Sequence, residues 1–242
     1  MCHMKKKVYY EHDIHTGTSI GLEYEKYLYQ SQSKYQNIEI IYSFKYGNAM
    51  YLDGCFMLSE RNQDYYHDKC LSLVPPSVKS ILIIGGGDYA IASKLATQKG
   101  IKSIQIVEID VEVVNLSKKY FPKHFKLSEK NVNKISLSVQ DGMHFIKKNN
   151  VRFDCIIIDS TDPVGSSKVL VSKSFLRGCY KALKSGGLII QQSGSPIKDT
   201  NQIINPLIKK YESIGFKKIN LHHFPMPLYP TGTWSFLSAK RA

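Results

Sequence analysis

The sequence predicts an α/β protein, a doubly wound parallel sheet preceded by a small antiparallel β-domain. Three observations carry this. From Ser77 onward, apolar runs such as Ile81–Ile84 and Cys155–Ile158 alternate with helical stretches, the rhythm of parallel strands buried on both faces. Gly85-Gly86-Gly87 follows the first of these runs directly, where a sharp strand-to-helix turn is needed. Residues up to 72 instead carry short alternations, Ser19–Tyr24, Tyr35–Tyr42 and Ala49–Leu52. Turn signals at Tyr46-Gly47-Asn48 and Asp53-Gly54 separate them, and Asp-Gly between apolar stretches favours a hairpin.

The elements follow in order. Asp64–Val74 reads as a helix that stops at Pro75-Pro76, because the residue before a proline is driven out of the helical region. This divides the chain into a β-domain with its linking helix, 1–74, and a larger domain, 75–242. After the glycines a helix runs to about Lys99, then a strand Ser103–Val107 and a helix Val111–Tyr120. Ile135–Val139, Cys155–Ile158 and Gly187–Gln191 are further strands with helical segments between them. Lys217–His222 and Trp234–Ala239 close the chain as two more strands. A closing antiparallel pair of this kind is common in Rossmann-like sheets of the class I methyltransferase type.

Bulk properties exclude several classes. A chain of 242 residues with 43% hydrophobic and 22% charged residues can build real cores and is not a disordered segment. No apolar run is long enough to span a bilayer, and the lysine-rich start has no apolar stretch behind it. The cysteines are odd in number and scattered, so a disulfide framework or zinc site is not expected and a reducing cytoplasm fits best. The net charge is +13, but its lysine pairs are dispersed rather than gathered into one stripe, so nucleic-acid binding is not expected either.

Four motifs stand at predicted strand ends. The glycine turn with Asp88 suits a nucleotide but does not say which. Glu108, in Val107-Glu108-Ile109-Asp110, stands where a carboxylate can accept both ribose hydroxyls, whereas Asp110 can instead cap the next helix. Asp141-Gly142 follows the next strand and can meet an adenine amino group or simply form a turn. Asp159-Ser160-Thr161-Asp162-Pro163 puts two carboxylates past a buried strand, one able to take a proton and the other to hold a cation.

In order and spacing these blocks resemble the spermidine synthase (polyamine aminopropyltransferase) family over roughly residues 8 to 239. Leu52-Asp53-Gly54, Leu58-Ser59-Glu60-Arg61, Tyr65-Tyr66-His67 and Tyr229-Pro230-Thr231-Gly232-Thr233-Trp234 extend the match. The resemblance implies an aminopropyl transfer from decarboxylated S-adenosylmethionine to a diamine, putrescine by default, with spermidine and methylthioadenosine as products. It implies no cofactor beyond that co-substrate and no metal, since a sulfonium is already an activated leaving group. Its implied roles are Asp159 as base with Tyr66 beside it. Gln36, Gly85, Gly87, Asp88, Glu108, Asp141, Gly142 and Ser166 would bind the donor. His67, Asp88, Asp162 and Tyr229 would line the amine channel. A cytoplasmic homodimer or homotetramer with no membrane attachment is implied as well.

The sequence departs from the family pattern at several points. Met57 stands where glutamine is usual, Asn62-Gln63 where acids are usual, and Tyr89 where a fourth glycine is usual. Gly165-Ser166 replaces Gly-Pro, Gln192-Ser193-Gly194-Ser195 lacks the glutamate often seen after the strand, and Val8-Tyr9-Tyr10-Glu11 lacks the usual tryptophan. These changes leave the acceptor open. A class I methyltransferase and a catalytically retired relative are the remaining alternatives at this level.

Overall fold

The computed structural model describes residues 7–13, 16–61, 64–162 and 165–242, with the side chains of 165 and 166 outside the description. The strands are β1 (Lys7–Asp13), β2 (Thr18–Tyr24), β3 (Lys26–Gln32), β4 (Asn37–Ser43), β5 (Gly47–Leu52) and β6 (Cys55–Ser59), then helix α1 (Asp64–Ser72). There follow β7 (Ser80–Gly85), α2 (Ala90–Ala96), β8 (Ser103–Glu108), α3 (Val111–Tyr120), α4 (Glu129–Val132), β9 (Ile135–Val139) and α5 (Gly142–Lys148). The chain ends with β10 (Phe153–Asp159), α6 (Lys173–Ala182), β11 (Leu183–Gln192), α7 (Asn205–Ile214), β12 (Lys217–Pro225) and β13 (Thr233–Lys240).

Three sheets form: the hairpin β1-β2, an antiparallel sheet β3-β4-β5-β6, and a seven-stranded sheet ordered β12-β13-β11-β10-β7-β8-β9. The N-terminal region is thus two sheets rather than one. In the large sheet the strands from β11 to β9 are parallel, and β13 runs antiparallel beside β11 with β12 outside it. Chain order reverses at β7, since β8 and β9 lie to one side and β10 and β11 to the other. Ligands of open α/β sheets bind outside the carboxyl ends of the strands at such a reversal.

The apolar runs explain the layering. Alternate side chains of a strand point to opposite faces, so a strand covered on both faces must be apolar throughout. Ile81 and Ile83 join one cluster with Ile91 and Leu95 of α2, while Leu82 and Ile84 join another with Phe175 and Leu176 of α6. β10 divides likewise, Cys155 and Ile157 to the first cluster and Ile156 and Ile158 to the second. A third cluster unites Ile38, Ile40 and Met50 of the four-stranded sheet with Val113 and Leu116 of α3. The small sheet is thereby fixed over the carboxyl end of β8, where α3 begins. No described helix is long and apolar enough to cross a membrane, and the four described cysteines are all free.

Candidate active site

The last residues of β7 and β10 are register partners, Gly85 beside Asp159. Gly85 has φ 84°, and a Cβ there would fall 2.0 Å from the Asp159 carbonyl oxygen, so only glycine fits. Gly86 N donates to that same carbonyl at 2.9 Å. The glycine turn is therefore clamped onto the strand end that presents Asp159. Gly87 packs against Glu108, whose Oε2 would lie 3.0 Å from a Cβ there.

Tyr89 closes the glycine turn, its N–H donating to the Gly86 carbonyl at 3.0 Å. It caps α2 in the left-handed region, φ 64° and ψ 1°, the conformation a glycine adopts freely. Its ring packs against Phe125, centroid to centroid 4.6 Å.

Glu108 is buried at the end of β8, and its Oε1 accepts Asp110 N at 2.9 Å. Burial pushes its carboxyl up to about 7, against backbone N–H bonds from Asp110, Ile109 and Gly87 that pull it down. Asp110 caps α3 by accepting Glu112 N at 3.0 Å. Its other oxygen accepts Ser33 Oγ at 2.6 Å and Gln36 Nε2 at 2.9 Å. This pair of bonds moors the turn between β3 and β4 and holds Gln36 beside Asp110. Asp141 caps α5 through His144 N at 2.8 Å, so the plain-turn reading holds for one of its oxygens. Gly142 is buried against Ile84 at the first position of α5. Ser166 lies in the helical turn Gly165–Val171, and its side chain falls outside the described residues, as do Asn62, Gln63 and Pro163.

Asp159 receives a hydrogen bond from Tyr66 Oη at 2.7 Å. Burial and the nearby Asp88 charge raise its carboxyl to about 6, while the Tyr66 bond and His67 act in the opposite direction. Asp88 behaves oppositely. Burial would raise it, but a hydrogen bond from His67 and the charges of His67 and His124 hold it below the usual carboxylate range. His67 Nε2 lies 3.5 Å from Asp88, and His124 Nδ1 donates to the Asp88 carbonyl at 2.9 Å. His67 Nδ1 is buried without a hydrogen-bond partner among the described residues. Two neighbouring carboxyls are thus driven apart in acidity, the pattern of a base beside a fixed charge.

Tyr229 and Gln192 extend the set of groups around this pair. Tyr229 donates to the Met57 carbonyl at 3.2 Å, and its ring meets Tyr66 and Phe56. Burial and then Asp159, Asp162, Glu11 and Asp88 raise its hydroxyl well above the ordinary value, so it stands among four carboxylates. Gln192 holds the far turn, donating to the Ser160 carbonyl at 3.0 Å and reaching Asp162 at 3.4 Å, while Trp234 Nε1 donates to its Oε1 at 3.1 Å.

No motif assigns a role to Glu11, Gln192 or Lys198, yet all three lie near Asp162. Glu11 is buried, accepts Phe56 N at 2.9 Å, and is raised to about 7 by burial and by Asp162. The only signal open to sequence was an acid in a tyrosine-rich strand, and nothing local says that β1 crosses the site.

With this geometry in place, comparison with known proteins is direct. Residues 67–242 match the family model of the spermine/spermidine synthase domain, and residues 8–60 match that of the spermidine synthase tetramerisation domain. A polyamine aminopropyltransferase of Methanocaldococcus jannaschii is 34% identical over 245 aligned residues, covering 99% of this chain and 80% of its own. One from Thioalkalivibrio sulfidiphilus is 38% identical over 228 residues, covering 92% of this chain and 80% of its own. A spermidine synthase solved in complex with the transition-state analogue AdoDATO superposes with a TM-score of 0.86 at 27% identity, covering 100% of this chain and 82% of that one. Matches of this length, running through both the β-rich start and the large sheet, make the chain a member of the spermidine synthase family of polyamine aminopropyltransferases.

Proposed function

We propose that the protein transfers the aminopropyl group of decarboxylated S-adenosylmethionine to a diamine, putrescine by default, releasing spermidine and methylthioadenosine. The observation that carries this reading is the pairing of Asp159, raised and bonded to Tyr66, with Asp88, lowered and bonded to His67.

The chemistry follows from charge. A diamine enters doubly protonated, and an ammonium has no lone pair. Asp159 takes a proton from the near nitrogen, which then attacks the propyl carbon bound to sulfur. The carbon–sulfur pair leaves with sulfur, turning the sulfonium into a neutral thioether. Asp88 keeps its charge and faces the donor's own ammonium. Intact S-adenosylmethionine would bring a carboxylate to that place and be repelled, which argues against the methyltransferase reading. Glu108 and Gln36 serve the ribose, Asp141 and Gly142 the adenine, with Gly85, Gly87 and Ser166 lining the donor path. His67, Tyr229 and Asp162 line the amine path, and Glu11 joins Asp162 in anchoring the far ammonium. The protein's part is positioning and proton removal.

We also propose that residues 1–74 form a separate unit that builds a homotetramer. The match of residues 8–60 to a tetramerisation domain supports this. A cytoplasmic location and a site that works without metal complete the proposal.

The test is purified protein with decarboxylated S-adenosylmethionine and a panel of diamines of different length. Methylthioadenosine should form in step with the aminopropylated amine. Its absence with every amine would overturn the reading.

A further inference from the structure

Near Asp162 and Glu11 stands a cation of the protein itself, Lys198, which acts on both carboxyls. Lys198 Nζ lies 2.6 Å from Asp13 Oδ2 and 3.9 Å from Asp199 Oδ2, with its side chain 12% exposed and those of the acids 4% and 8%. An ammonium this enclosed is held where it is. Its loop is rigid as well. Asp199 Oδ2 accepts Ser195 N at 2.8 Å, Ser195 Oγ meets Thr231 Oγ1 at 2.6 Å, and Ser235 Oγ donates to the Gly194 carbonyl at 2.7 Å. Asp13 is fixed from its own side by Thr16 N at 3.1 Å.

The charges at this end divide into two sets. Asp13 and Asp199 have Lys198 as their counter-ion. Among the described residues, Glu11 and Asp162 have no cation of comparable closeness, and Lys198 acts on both only from a distance, easing the burial that raises them. The place for a further positive charge is therefore at Glu11 and Asp162, near Lys198.

We propose that Lys198 is a specificity-determining residue. Its ammonium takes the place that the third amine of a longer polyamine would need, and so confines the acceptor to two charged nitrogens. This rests on the aminopropyl-transfer reading. A triamine extended past Glu11 would bring its last ammonium against that of Lys198 and find Asp13 already paired. Rejection by a like charge in an enclosed site is a stronger discriminator than a missing contact.

The test compares wild type with Lys198→Met, Lys198→Arg and the double variant Lys198→Met/Asp13→Asn. Putrescine and spermidine are the acceptors. Initial rates of methylthioadenosine formation and calorimetric binding of each amine are the readouts. Lys198→Met should raise the spermidine-to-putrescine ratio of kcat/KM by about tenfold or more, through the spermidine KM rather than kcat. Lys198→Arg should keep the wild-type ratio. The double variant should lose most of the gain, because Asp13, the nearer of the two Lys198 carboxylates, no longer meets the third ammonium and only the more distant Asp199 remains. Lys198→Gln, which still donates a hydrogen bond to Asp13, makes the same prediction if Lys198→Met does not fold. An unchanged ratio in the neutral variants, a raised ratio in Lys198→Arg, or a gain that mostly survives Asp13→Asn would overturn the proposal. Wild type that makes no methylthioadenosine with any amine would overturn the transfer reading alone. Calorimetry still decides on Lys198 in that case, since tighter spermidine binding by Lys198→Met supports it and equal binding overturns it.

Discussion

Tyr66 Oη donates to Asp159 Oδ1 at 2.7 Å, tying the helix that leaves the small sheet to a strand at the centre of the large one. The bond favours the charged form of a carboxyl that burial drives towards neutrality. A base must be ionised to act, so turnover should rise with pH through about 6. Tyr66→Phe removes a bond that lowers the Asp159 pKa, so the acid limb of kcat should move to higher pH while turnover falls. Asp159→Asn should bind methylthioadenosine normally and lose about a hundredfold or more in kcat. A pH–rate series on the three proteins checks both, and an unmoved acid limb in Tyr66→Phe would remove Tyr66 from the proton step.

Glu108 yields a second prediction. Its carboxyl is raised to about 7, and only the ionised form accepts from two hydroxyls at once. The donor KM should therefore fall as pH rises towards that value and then level. Glu108→Gln should raise the donor KM by about tenfold to a hundredfold, the worth of a hydrogen bond to a charged group, and flatten its pH dependence. A donor KM that Glu108→Gln leaves unchanged would move the ribose site elsewhere.

The features legible in sequence are those that recur at the ends of buried parallel strands. Gly85, Glu108 and Asp159 each follow an apolar run, and the end of the run says where the side chain emerges. The strands β1 and β3 were not legible, because their tyrosines and charges alternate without a clean buried face. Glu11 and Lys198 were hidden for the same reason at a larger scale. Their meaning comes from a hairpin and a loop brought together across nearly the whole chain. Asp110 and Asp141 show the limit of motif reading. Each sits at a motif position and each spends an oxygen on a helix cap.

Tyr89 tests how a departure from the family pattern is tolerated. A non-glycine residue in the left-handed region costs about 1 kcal/mol. The ring partly offsets this by packing against Phe125. Tyr89→Ala keeps the strained backbone and loses the ring, whereas Tyr89→Gly loses the ring and the strain together. Tyr89→Gly should be the more stable of the two by about 1 kcal/mol in denaturant unfolding. Equal stability would mean that the turn relaxes out of the left-handed conformation.

At the opposite end of β10, away from the site, Asp154 fastens the start of the large sheet. Its Oδ2 accepts Lys79 N at 3.0 Å, Ser80 N at 2.8 Å and Ser80 Oγ at 2.9 Å, and its Oδ1 accepts Lys184 Nζ at 2.7 Å. Burial alone would raise the carboxyl, but Lys184 and the Ser80 and Lys79 donors outweigh it and lower the pKa from 3.8 to about 2. A depressed folded-state value stabilises the fold above the unfolded value and loses that contribution as pH falls towards 2. The side chain is 23% exposed, so screening reduces the effect to about 1–2 kcal/mol. Asp154→Asn should therefore be less stable than wild type by that amount at pH 7. The gap should narrow below pH 4 and close near pH 2, where wild type has itself taken up the proton. Urea unfolding of both proteins across this range measures it, and a gap that stays constant with pH would assign the loss to packing rather than to the charge.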